Sequence, residues 1–429
     1  MRDLLLAGIM AWLVVRALIH PWIGIMAWTW VSIMNPHKLS WTLELLPIAA
    51  IVGGATLVGL FLSKDRRQFF VTPETAVLIA FTLWMCVTLP FSFYVDASMP
   101  MWNRVMKINF MILVSMMILY SKKHITIFVW VVTGSLAFYG VKGGAFTILT
   151  GGNHKVWGPE GTFIEGNNEV ALALVMIIPL LRFIQLTSTS VWLRRGMTVS
   201  MVLCAAAALG SHSRGALLAI GAMGFVLWMR TDRKFVMAVM LAVVTLVLVP
   251  FMPDEWLSRM ATIKTYDSDA SAMGRINAWY MAWNVASKNL FGGGYFMWTG
   301  PVFVIYAPVT DDVHAAHSIY FQVLGEHGFV GLFLFMTLWL LVWLKAGRLR
   351  SVAKGNPQTQ WVSDLGSMCQ VSLVGYAVGG AFLSLAYYDL PYNVLIMVVL
   401  AARWYDQKAW QDEKSPAVVA GIPGARQSA

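Results

Sequence analysis

Apolar runs of roughly membrane-spanning length recur along almost the whole chain, and only short polar stretches separate them. They fall at 46–62, 75–91, 108–121, 125–141, 169–187, 192–210, 215–230, 235–251, 317–344, 368–386 and 391–404. A helix needs roughly 20 apolar residues to cross a bilayer, and the shorter runs reach that length by extending into the interface. Such a chain has few folding options, because in lipid every backbone N–H and C=O must be bonded within the spanning structure. The chain is 58% hydrophobic and 12% charged, with a mean hydropathy of +0.67, whereas a soluble domain carries about a quarter charged residues. The 20 Trp and 23 Phe suit interfacial aromatic belts. The expected fold is an all-α polytopic membrane protein of about twelve transmembrane helices, with one large outer loop containing amphipathic helices.

The stretch 4–34 is interrupted by Arg16, His20 and Pro21. It reads as one kinked helix or as two short ones. The single crossing is favoured and places the N-terminus inside; a hairpin adds one span. Met1-Arg2-Asp3 leads into an apolar run with no small-residue cleavage site, so no cleavable signal peptide is expected.

The net charge of +10 sits in short loops between spans, which makes nucleic acid an unneeded partner. Lys64-Asp65-Arg66-Arg67, Lys122-Lys123, Arg194-Arg195, Arg230 to Lys234 and Lys345 to Lys354 all belong to the cytoplasmic side by the positive-inside rule. Residues 92–107, 142–168, 211–214, 252–316 and 387–390 then face outward. The expected organisation is N-terminal helices over 1–251, an outer loop over 252–316, C-terminal helices over 317–404 and a disordered cytoplasmic tail over 405–429. Cys86, Cys204 and Cys369 lie within apolar segments and outline neither a disulfide framework nor a metal site. No Walker loop, Rossmann fingerprint or His-Glu-x-x-His pattern is present, and no inverted repeat is visible.

The outer face carries charges that a membrane boundary tolerates only at a cost. Arg214 follows Ser211 and Ser213, good N-cap residues, and opens a helix. A helix N-terminus beside an arginine suits phosphate or pyrophosphate. The bland alternative is an arginine snorkelling to lipid headgroups. Arg275 opens a segment with Ile276, Trp279, Tyr280 and Trp283 at helical spacing, expected to lie along the outer membrane surface. His317 stands at the outer mouth of a span, where a neutral imidazole can act as general base, and His314 competes for that role. Glu326 and His327 lie deeper, either as a buried polar contact or at a helix break between Gly325 and Gly328. Arg104, Lys107 and Lys142 add positive charge to the same face. The glycine-rich loop 151–168 is either a sugar- or headgroup-binding loop or a plain connection.

These residues together resemble the O-antigen ligase and polymerase superfamily of bacterial envelope glycan enzymes. The resemblance rests on Gly161-Thr162-Phe163, Ser213-Arg214-Gly215, Gly274-Arg275 with Trp279 and Trp283, and His317 followed by Glu326-x-Gly328, in that order over residues 161 to 328. Pro21-Trp22 and Met34-Asn35-Pro36-His37 look like a subgroup labelled O-glycosylation ligase. His317-Ser318 replaces the common His-Asn, and Asn167-Asn168 the common Pro-Asn. The resemblance implies transfer of a glycan from an undecaprenyl-pyrophosphate carrier to a hydroxyl of lipid A-core, at the periplasmic face of the bacterial inner membrane. It assigns pyrophosphate binding to Arg214 and Arg275 and the base to His317. Direct attack inverts the anomeric carbon, and no cofactor or metal ion is expected. An O-antigen polymerase and a protein O-oligosaccharyltransferase are the alternatives within the family. A lipid-linked anion transporter or flippase is the alternative outside it; its charges belong near the midplane.

Overall fold

The computed structural model describes residues 2–63, 68–231, 252–261 and 270–412, with isolated positions between 234 and 246. The expected span 235–251, part of the outer loop and the tail beyond 412 fall outside the described residues. All regular structure among those residues is helical. The helices are α1 (Arg2–Ile19), α2 (Pro21–Met34), α3 (Ile48–Leu62), α4 (Pro73–Thr88), α5 (Val95–Ile118), α6 (Lys122–Leu149), α7 (Asn167–Thr187) and α8 (Val191–Gly210). They continue with α9 (Arg214–Arg230), α10 (Asp254–Ala261), α11 (Ala270–Lys288), α12 (Gly300–Tyr306), α13 (Ile319–Val352), α14 (Gln360–Gly380), α15 (Asp389–Asp406) and α16 (Ala409–Asp412).

Among the described residues, five segments are long and apolar enough to cross a membrane: Pro73–Phe91, Lys122–Leu149, Asn167–Thr187, Val191–Gly210 and Ile319–Val352. Their starts follow local rules. Ser121, Ser190 and Ser213 each cap α6, α8 and α9 by accepting from a backbone N–H three residues on. Thr72 and Thr75 form a reciprocal capping box with Pro73 in the first turn of α4. The protein is a multi-helix membrane protein centred on α7, of which 78% of the apolar window is buried, against 28% for α8 and for α13. α14 packs on α7, α9, α13 and α15. Leu4, Trp12, Phe61, Leu83, Trp192 and Phe333 project from the outer helix faces, as lipid contact requires.

The N-terminal stretch is a hairpin, which corrects the favoured single crossing. α1 packs along α2, and Thr42 Oγ1 donates to the Asp3 carboxylate at 3.2 Å, so the start of α1 lies beside the chain leaving α2. A Cβ on Gly24 would meet that of Ala17 at 2.8 Å, whereas seven residues of continuous helix would separate them by about 10 Å. The chain reverses at His20, in extended geometry, and Pro21 restarts the helix where its missing N–H costs nothing. Cysteines placed at positions 3 and 42 in a cysteine-free background are expected to react with an impermeant maleimide from one side of the membrane. Labelling from opposite sides would restore the single crossing.

Two segments beyond the expected spans, expected to face outward, are largely helical. α5 starts at Val95 and runs through Arg104 and Lys107, and α6 extends past Lys142 to Leu149. Hydropathy ends a span at the first charges, but a helix continues wherever one face stays polar.

Candidate functional site

The N-termini of α7, α9, α13 and α15 gather at one end of the bundle, and hydrogen bonds from distant segments fasten them. Asn167 Nδ2, at the start of α7, donates to Ser211 O at 2.7 Å. His212, buried and in the left-handed backbone region, contacts Gly152 O through Nε2 at 2.9 Å. The turn before Arg214 is thus gripped from both sides. Ser213 Oγ accepts from Ala216 N at 3.2 Å and starts α9 with Arg214 as its first residue.

Arg214 and Arg275 line the same cleft, together with Asn168, Ser213, Gly215, Phe382 and Leu383. Its free volume is about 20 Å³, close to the space of one water. His317 N donates to Ser384 Oγ at 3.0 Å, one residue beyond the cleft wall at Leu383. His317 adopts φ 42°, which turns the chain into α13. Burial first, then the charge of Arg275 and the neighbouring His314, push the His317 imidazole down to about 4. It is therefore neutral at pH 7 and able to accept a proton. Glu169, on α7, interacts electrostatically with Arg275.

α11 positions Arg275, and its protein-facing side is made of small and aliphatic residues. Ala278, Met281, Ala282 and Val285 are buried, whereas Tyr280 and Trp283 are exposed. Trp279 stacks on Phe321 at 5.0 Å and donates to Ala316 O at 2.7 Å, tying α11 to the residues before His317. Asn277 organises the rest of that approach: its Nδ2 donates to Val309 O and Asp312 O, and its Oδ1 accepts from Val309 N at 2.9 Å. His314 Nδ1 lies 2.9 Å from the Asp312 carboxylate, and its ring packs over Gly274, where a Cβ would come within 2.6 Å. Gly274 is therefore required for the close approach of α11 to the histidine loop.

Glu326 is buried. Its carboxylate accepts from Tyr387 Oη at 2.6 Å and Trp298 Nε1 at 3.0 Å. His327 is bonded separately to Thr88 Oγ1 at 2.8 Å. The expected helix break is present at Gly328, with φ 68° and ψ −173°. The 292–294 turn docks against it through Gly293 N to Gly325 O and Gly294 N to Glu326 O. Glu326 thus fastens the outer segment to the bundle. Lys142 stands exposed on α6, away from the cleft lining. Arg104 lines a different cavity and lies over the Phe163 ring at 3.9 Å. Sequence reasoning missed Asn168, Ser384, Phe382 and Leu383 as site neighbours. Asn168 was quoted with Asn167 as a family position but given no role in the site, whereas residues 382–384 carried no signal.

Residues 199–336 match the O-antigen ligase family, and that segment contains Arg214, Arg275, His314, His317 and Glu326. That stretch of the chain is similar to the O-antigen ligase family. Residues 1–189 match a family of unknown function (DUF5935), and no curated protein matches the chain. The match supports a ligase- or polymerase-type activity on a lipid-linked glycan and a lipid acceptor.

Proposed function

We propose that this protein is an O-antigen ligase that transfers a glycan from undecaprenyl-pyrophosphate to a hydroxyl of lipid A-core at the periplasmic face of the inner membrane. The observation that carries the reading is the shared cleft of Arg214 and Arg275 beside a neutral His317. In the proposed reaction the two guanidiniums hold the donor pyrophosphate and stabilise the negative charge that grows on it as the glycosidic C–O bond breaks. His317 takes the proton of the acceptor hydroxyl as its oxygen bonds to the anomeric carbon. Attack opposite the leaving group inverts that carbon. The pyrophosphate-linked carrier departs with the bonding pair. The cleft is too small for a sugar pyrophosphate, so donor binding must spread the side chains that line it. The charges cluster at one end of the bundle, which favours an enzyme over a transporter.

Two measurements test this. Membranes containing the protein, given carrier-linked glycan and lipid A-core, are expected to yield glycan-capped lipid A-core. Lengthening of the carrier-linked glycan with lipid A-core untouched would make the protein a polymerase instead. The pH profile tests the base. A histidine held down at about 4 keeps its proton-accepting form throughout the neutral range and loses it only in strong acid. kcat/KM is expected to hold its level from pH 8 to about 5 and to fall toward about 4. A fall centred at the ordinary histidine value of about 6.5 would remove His317, in this environment, from the role.

A further inference from the structure

A second cavity, of about 520 Å³, opens between α2, α3 and α5, and Arg104 belongs to it rather than to the cleft. Its size falls within the range of roughly 300–1,000 Å³ typical of small-molecule sites. Its walls are apolar: Trp28 and Val31 from α2, Leu57 from α3, Ile108 and Met111 from α5. α3 turns Ala49, Ala50, Gly53 and Gly54 toward it, and these small side chains leave the space open.

The rim is cationic. Arg104 and Lys107 stand one helical turn apart on α5, both exposed, and the imidazole of His37, from the chain after α2, lines the cavity as well. The carboxylate facing them is Asp389, which is buried, accepts a hydrogen bond from Ser32 Oγ and interacts with Arg104. Lys107 forms no ion pair among the described residues. An apolar trough ending in a surplus of positive charge matches a hydrocarbon chain ending in an anion.

We infer that the cavity bounded by Trp28, Leu57 and Met111, with Arg104 and Lys107 at its rim, is a binding site for a net-anionic, phosphate-bearing lipid. The head group is held by Arg104 and Lys107, and the hydrocarbon lies against α2, α3 and α5. The site adjoins the arginine cleft. Thr162 and Phe163 line the cavity and Asn168 lines the cleft; Leu383 lines the cleft and Tyr388 the cavity. Five residues span at most roughly 18 Å, so a lipid held here presents its head group beside the cleft.

The test is lipid binding, read by native mass spectrometry of the full-length protein released from nanodiscs. Wild-type protein is expected to retain phosphatidylglycerol and lipid A-core in preference to phosphatidylcholine. Retention is expected to drop about tenfold in the double variant Arg104→Gln, Lys107→Gln. Gly54→Phe fills the trough from a position where a Cβ meets nothing within 4 Å, and it is expected to lose lipid while keeping the wild-type Tm. Stronger retention of lipid A-core than of phosphatidylglycerol identifies the occupant as the acceptor; equal retention identifies bulk anionic lipid. Equal retention of phosphatidylcholine, or wild-type retention in both variants, overturns the site. So does inorganic phosphate if it raises the Tm as much as the lipids do, because the hydrocarbon would then contribute nothing. The readout needs no transfer activity, so the lipid site and the transferase reading fail separately.

Discussion

Arg275→Ala is expected to lower glycan transfer by about 10²–10³-fold while the protein reaches the membrane at normal levels. Arg275 lies on α11 in the cleft it shares with Arg214, and Ala278, Met281 and Val285 pack that helix on the protein. Truncation therefore removes charge from the cleft without removing the packing that holds the helix. Arg214→Ala is expected to act similarly, because Ser213 and not Arg214 supplies the cap of α9. Arg275→Lys keeps a charge but loses the fork that binds two phosphate oxygens at once, so partial recovery is expected. His317→Ala is expected to cost about 10²–10⁴-fold. The double variant of His317 and Arg275 should lose much less than the product of the two single losses, as groups acting on one transition state do. The assay is formation of glycan-capped lipid A-core at matched protein levels. Retention of more than a tenth of wild-type transfer by Arg275→Ala would remove it from the reaction.

Gly328→Ala is expected to give the largest loss of stability of any single methyl addition to α13. The residue sits at φ 68° and ψ −173° inside a helix, a conformation essentially reserved for glycine. A Cβ there would lie 2.2 Å from Leu290 O, a backbone atom that cannot rotate away. Strain alone costs about 1–3 kcal/mol, and relieving the clash must also displace the 290–294 turn. That turn bonds to Gly325 and Glu326 and sits next to Trp298, the partner of the Glu326 carboxylate. The expected outcome is a lowered Tm in detergent and faster proteolysis between residues 288 and 316. Gly134→Ala is the control, since a Cβ there meets nothing within 4 Å and an alanine suits the interior of α6. Equal Tm values for the two variants would show that the kink at Gly328 is not rigidly held.

The site was partly legible because several of its signals are local. Ser213 before Arg214 announces a helix start from two neighbouring residues, and the cap is formed. Gly325 to Gly328 announced a break, and the backbone leaves helical geometry at Gly328. The N-terminal hairpin was not legible in that way. His20 and Pro21 interrupt a helix equally in a kink and in a reversal, and the choice is decided by Asp3 meeting Thr42 and by Ala17 meeting Gly24. α11 was recognised as a helix from its periodicity, but the residues that pack it on the protein, Ala278, Met281, Ala282 and Val285, were not singled out. Large aromatics mark a lipid-facing surface as readily as a protein core.

Hydropathy by itself determined that the chain is helical and crosses a membrane, since continuous apolar runs of about 20 residues suit spanning helices and not the short alternating strands of a barrel. Local chemistry determined where several helices begin and which charged residues stand at membrane boundaries. Only the tertiary structure decided which of those charges meet. Arg104, Arg214 and Arg275 look alike in sequence, yet Arg214 and Arg275 share a cleft while Arg104 faces an apolar cavity beside Asp389. It also decided that Glu326 fastens Tyr387 and Trp298, and that Ser384 holds the backbone of His317. Such pairs lie far apart along the chain, and their meeting is set by how helices pack, a quantity to which no local pattern of residues is bound.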